Sequence, residues 1–93
     1  MSGERRVTVR YDGHVQGIGF RFTVCSLAAG RPVAGFVRNE PDGTVTLVAE
    51  GDDDALHGFL AAVRHSRVGR YVVRESPVWS RASGEFDRFG VAY

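Results

Sequence analysis

The sequence predicts an α+β fold in which two helices cover one face of a four- to five-stranded, mostly antiparallel sheet. Three observations carry that prediction: period-two alternation in several short segments, two stripes of apolar residues at helical spacing, and turn chemistry between two of the strand-like segments. Taken along the chain they give the order βαββαβ.

The first strand is read from Arg6 to Tyr11, where Val7, Val9 and Tyr11 point one way and polar residues the other. From Phe20 to Ala29, the apolar residues Phe20, Val24, Leu27 and Ala28 make a helical stripe, which Gly30 and Pro32 end. Val33 to Arg38 and Thr44 to Glu50 read as strands, and Asn39-Glu40-Pro41-Asp42-Gly43 between them supplies the turn of a β-hairpin. Asp52, Asp53 and Asp54 then precede Leu56, Phe59, Leu60 and Val63, an amphipathic helix with carboxylates at its positive end. The Asp run is therefore read as a cap and not as a metal site. A basic loop is expected from His65 to Arg70, a strand-like piece from Tyr71 to Arg74, an interruption at Pro77, and a final edge strand carrying Phe86, Phe89, Val91 and Tyr93. This order and layering is the ferredoxin-like arrangement, which hosts many unrelated functions.

Composition narrows the function classes. At 93 residues and 43% hydrophobic content the chain is expected to form one domain, 1–93, with one apolar core. Its single cysteine, Cys25, allows no internal disulfide, and no Cys/His cluster has metal-ligand spacing, so no metal and no cofactor are expected. The stretch Met1 to Arg6 has no apolar segment behind it and no run reaches membrane-spanning length, so the expected setting is cytoplasmic, with no membrane partner. Twelve basic against eleven acidic residues leave a formal charge of +1, too little for a phosphate-backbone footprint. All twelve basic residues are Arg, for which GC-rich coding is the simpler account. No association stripe is evident, and a monomer is the simplest expectation.

The segment Gly13-His14-Val15-Gln16-Gly17-Ile18-Gly19-Phe20-Arg21 joins the first strand to the first helix, and three of its nine residues are glycine. A glycine-rich loop feeding a helix N-terminus offers unpaired N–H groups to a tetrahedral oxyanion. Arg21 is a cation at the end of the helix where the macrodipole disfavours one, a conflict that a bound anion would remove. From glycine spacing alone, a plain connection with a solvated Arg remains the simpler reading. The glycines at 13, 17 and 19 fit neither a Walker A loop nor the dinucleotide fingerprint.

These residues closely resemble the acylphosphatase signature Gly-x-Val-Gln-Gly-Val-x-Phe-Arg, with Ile18 as a conservative exchange. Gly35-Phe36-Val37-Arg38-Asn39 followed by Gly43, Val45 and Gly51 is similar to the second signature of that family, and Ser83-Gly84-Glu85-Phe86 with Phe89 to its ending. The resemblance covers the chain except about 66–81; Pro32 and Pro77 depart from the pattern. It implies a metal-independent hydrolase acting on a small acyl phosphate. By that resemblance the amides of Val15, Gln16, Gly17, Ile18, Gly19 and Phe20, with the Arg21 guanidinium, hold the phosphoryl group, and Asn39 orients the attacking water. A phosphate- or carbamoyl-phosphate-binding domain with weak turnover is the alternative.

Other residues take plainer readings. Cys25 is expected to pack in the first helix, although a nucleophilic role near a cation is chemically conceivable. His14 lies near enough to the loop to touch substrate, whereas His57 and His65 have no useful spacing. Trp79 and Tyr71 read as sheet or core aromatics, and Arg64, Arg67, Arg70 and Arg74 as a solvated basic patch. An RNA-recognition module, which shares the architecture, is disfavoured because Thr44 to Glu50 has no aromatic residue to stack a base.

Overall fold

The computed structural model describes residues 4–93; Met1 to Gly3 of the polar opening stretch lie outside them. Strands β1 (Arg5–Gly13), β2 (Ala34–Asn39), β3 (Val45–Gly51), β4 (Val72–Arg81) and β5 (Phe89–Ala92) form one sheet in the order β4-β1-β3-β2-β5. All neighbours are antiparallel except β2 and β5. Helices α1 (Phe20–Ala28) and α2 (Asp53–His65) supply the two helices of the expected βαββαβ order.

Alternation puts the core together. Val7, Val9 and Tyr11 of β1 are buried, and the register sets Val7 opposite Ala49 and Val9 opposite Leu47, so both strands present their apolar residues to the same side. Phe20, Val24 and Ala28 of α1 and Leu56, Phe59, Leu60 and Val63 of α2 close over that face. Leu27, the remaining member of the α1 stripe, packs only at the margin of the core.

The helices begin differently. At α2 the side chain of Asp52 accepts a hydrogen bond from the Ala55 amide at 2.8 Å, Asp53 and Asp54 follow in the first turn, and Arg64 and His65 occupy the last. Both ends match the helix dipole. At α1 the capping residue is Gly19, no side chain caps the first turn, and no acidic residue lies in it.

The region from His65 to Arg81 differs from the sequence reading. The basic loop is the end of α2 followed by a 3-10 helix, Arg67–Tyr71, held down by the buried Val68. Strand β4 runs unbroken through Pro77, which sits opposite Val9. Proline is tolerated because β4 lies at the sheet edge, where an absent N–H facing solvent removes no ladder bond. Arg64 is not part of a free basic patch: its Nε and Nη2 each donate to Glu75 at 3.1 Å. Trp79 packs against the core and stacks near His57 of α2, with ring centroids 4.7 Å apart, whereas Tyr71 is exposed.

On the other face of the sheet, Glu50 is buried beside the segment that links β4 to β5. Its carboxylate accepts hydrogen bonds from the amides of Ser83 (2.8 Å) and Gly84 (2.9 Å), the Ser83 hydroxyl (3.0 Å) and Arg6 Nε (2.7 Å). Burial opposes ionisation of this group, but the four donors outweigh it and hold the carboxyl down at about 2. The knot fixes the chain that returns to β5, and Phe86 packs edge-on against Phe36 of β2.

Candidate active site

The loop between β1 and α1 is pinned by two apolar side chains. Val15 and Phe20 are buried, and the Phe20 ring lies 5.1 Å from that of Tyr11. Between these anchors the backbone turns through the left-handed region at Gly17 (φ 79°) and Gly19 (φ 83°), a conformation that glycine adopts without strain. A side chain at Gly17 would meet no neighbouring atom, so conformation and not space requires glycine there.

Gln16 holds the loop to the β2–β3 turn. Its Nε2 donates to the carbonyl oxygens of Glu40 (2.8 Å) and Thr44 (2.9 Å). The residue just before Glu40 is Asn39, the last of β2, which faces Val45 in the sheet. Its Oδ1 is buried and has no hydrogen-bond partner among the described residues. A buried acceptor without a donor costs on the order of 1–3 kcal/mol, and native proteins keep few of them.

Asn39 shares a cleft of about 330 Å³ with Val15, Gly17, Gly19, Phe20 and Arg21, whose outer wall is Phe22, Cys25, Val91 and Tyr93. Arg21 stands in the first turn of α1 with its guanidinium 5.6 Å from the centre of the Tyr93 ring. The cleft thus joins a guanidinium, an unpaired amide oxygen and an uncapped helix N-terminus, a combination suited to an anion and a water molecule.

Six of the eight residues singled out in the sequence therefore line this cleft: Val15, Gly17, Gly19, Phe20, Arg21 and Asn39. Gln16 and Ile18 do not. The Gln16 side chain is committed to the hairpin, and Ile18 packs against the core. His14 is exposed, and its amide donates to the Tyr71 carbonyl at 3.2 Å. Cys25 is half-buried in the cleft wall, and burial pushes its thiol pKa up, which suits packing better than nucleophilic attack. Among the described residues no group of His, Cys, Asp and Glu could hold a metal ion, and no helix is long and apolar enough to cross a membrane.

Sequence reasoning missed Arg67. Its Nη2 lies 3.2 Å from the Ile18 carbonyl oxygen and 3.4 Å from Thr23 Oγ1, on the loop and on α1 respectively. With Arg67 and Ile18 separated by 49 positions in the chain, no local pattern could have joined them. Phe22 was available to sequence reasoning as the exposed neighbour of Arg21, but its place on the cleft wall depends on β5.

Comparison with known proteins decides the family. The family model described as Acylphosphatase matches residues 7–91. The chain belongs to the acylphosphatase family. It is 43% identical over 70 residues to an acylphosphatase of Methanospirillum hungatei, covering 75% of this chain and 77% of that relative. With an acylphosphatase of Salinibacter ruber it shares 42% identity over 88 residues, 95% of this chain and 93% of the relative. The crystal structure of acylphosphatase from Bacillus subtilis matches with a TM-score of 0.85 at 36% identity, covering 96% of this chain and 99% of that one. The acylphosphatase match runs through 66–81, the part left outside the motif resemblance.

Proposed function

We propose that this chain hydrolyses the carboxyl–phosphate bond of small acyl phosphates by direct attack of a water molecule that Asn39 positions. The phosphoryl group lies against the amides of the Val15–Phe20 loop and the guanidinium of Arg21. An Arg fork meets two phosphoryl oxygens at once, which a Lys ammonium does not. Asn39 Oδ1 accepts a hydrogen bond from the water and so turns an oxygen lone pair toward phosphorus. The new P–O bond forms as the P–O bond to the acyl group breaks; the carboxylate leaves, and the water proton passes to a phosphoryl oxygen of the substrate itself.

Phosphoryl transfer through a loose transition state depends mainly on positioning and charge stabilisation, and a carboxylate is a good leaving group. The reaction therefore requires neither a strong base nor a metal. The observation that carries the reading is the buried, unpaired Asn39 Oδ1 in the same cleft as Arg21. The reading extends to a monomer acting in the cytoplasm without a nucleic-acid partner, supported by the near-neutral charge and the lone cysteine.

Hydrolysis of benzoyl phosphate in the presence of EDTA tests it. Asn39→Ala should lower kcat by about 10²-fold or more with little change in KM, the pattern of a group that acts in the transition state. Arg21→Ala should lower turnover by about 10²-fold or more, and Arg21→Lys should not restore it. Unchanged kcat in Asn39→Ala removes Asn39 from the mechanism, and a folded wild type without turnover leaves only a phosphate-binding domain.

A further inference from the structure

Arg67 is the one member of the expected basic patch that touches the loop of the cleft. It comes from the 3-10 helix after α2, far along the chain, and its Nη2 reaches both the Ile18 carbonyl oxygen and the Thr23 hydroxyl. The contact to Ile18 falls between Gly17 and Gly19, both at positive φ, where glycine allows backbone rotations that other residues resist. Rotation of the Ile18–Gly19 peptide plane is easiest at such a place.

The geometry of that peptide gives the contact a consequence. In a trans peptide the C=O and the following N–H point in opposite directions. A carbonyl of Ile18 held toward Arg67 therefore turns the Gly19 N–H away from Arg67, and Gly19 itself lines the cleft. The reverse orientation would present a carbonyl oxygen, a partial negative charge, where an anion is to sit.

We propose that Arg67 is a positioning residue of the phosphate-binding loop, fixing the Ile18–Gly19 peptide so that the Gly19 N–H is offered to the phosphoryl group. This rests on the phosphoryl-binding reading of the cleft. Both contacts come from one nitrogen, so what the loop requires of residue 67 is a single reaching cationic donor. The Thr23 hydroxyl holds that nitrogen from the helix side, tying the 3-10 helix, the loop and the first turns of α1 at one point.

The test measures KM and kcat for benzoyl phosphate, the inhibition constant of inorganic phosphate, and Tm, in wild type, Arg67→Ala, Arg67→Lys and Arg70→Ala. Arg67→Ala should raise KM and the phosphate inhibition constant together, by about 5- to 10-fold for one lost charge-assisted hydrogen bond, while kcat changes by less than about 2-fold. Arg67→Lys should recover most of that loss. Arg70→Ala removes an equal charge from the same 3-10 helix and should leave both constants within about 2-fold of wild type. Phosphate inhibition in Arg67→Ala equal to that of wild type overturns the inference, as does an equal loss in Arg70→Ala, which would make the effect one of general charge. A fall in Tm with an unchanged inhibition constant assigns Arg67 to stability alone and also overturns it. No inhibition of the wild type by phosphate would instead sink the phosphoryl-binding reading, and this inference with it.

Discussion

Helices α1 and α2 cover the same face of one sheet, yet only α2 completes its own N-terminus. Asp52 caps α2 and two further carboxylates follow, so its dipole is met within the chain. The start of α1 has a glycine cap, no carboxylate, and the cation Arg21. The same division separates two buried oxygen acceptors. Glu50 is surrounded by four donors, whereas Asn39 Oδ1 has none among the described residues. In both pairs the fold satisfies one polar group and leaves the other open on a residue of the cleft, although Asp12 Oδ2, whose residue does not line the cleft, is also buried without a partner among the described residues.

Arg21→Ala tests this division most strongly, because the two properties should move in opposite directions. Activity should fall by about 10²-fold or more, while stability should rise by about 0.3–1 kcal/mol as a cation leaves the positive end of α1. Chemical denaturation beside a kinetic assay reads both; a clear loss of stability would show that Arg21 is a structural residue and would end the contrast with α2.

Glu50→Ala should do the reverse, costing about 3 kcal/mol of stability with kcat unchanged, since it strips an acceptor from two amides and an Arg. The same group sets a pH window. Its carboxyl ionises near 4.5 when free and at about 2 in the fold. Its contribution, about 3 kcal/mol by linkage, is thus complete above pH 4.5 and disappears as the pH falls toward 2. Urea midpoints between those pH values should fall more steeply for wild type than for Glu50→Gln, and parallel curves would place the acid sensitivity elsewhere. The smallest effect is expected at α2, where Asp52→Ala should cost about 1 kcal/mol and leave KM and kcat as they were.

Much of this division was legible before folding. Alternation located β1 and β3, and β-branched and aromatic content beside turn chemistry located β2, each to within a residue or two, and the carboxylates before Leu56 marked the capped end of α2. Arg21 marked the start of α1 as unlike an ordinary capped end, and the two motifs singled out Asn39, which lines the same cleft. The stretch 66–81 was not legible, because whether Pro77 breaks a strand depends on which strand lies at the edge, and that is decided by tertiary order. Arg67 and Glu50 were missed for a related reason: their partners lie 49 and 33 residues away, beyond any local period. Gln16 was read for its amide and proved to matter for its side chain, a distinction that residue type alone does not draw.

The Gln16 clamp bears on how this chain tolerates change in length. Surface turns ordinarily accept insertions at little cost, since lengthening a loop adds only a slowly growing entropy term. The turn from Glu40 to Thr44 is different, because both of its end carbonyls are bonded to one nitrogen of the neighbouring loop. An extra residue there would separate the two acceptors, release Gln16, and shift the loop between β1 and α1 relative to Asn39. A short stretch of exposed hairpin thus acts as a spacer gauge for the cleft, and its length is fixed by a distance some way from where it is drawn on the surface.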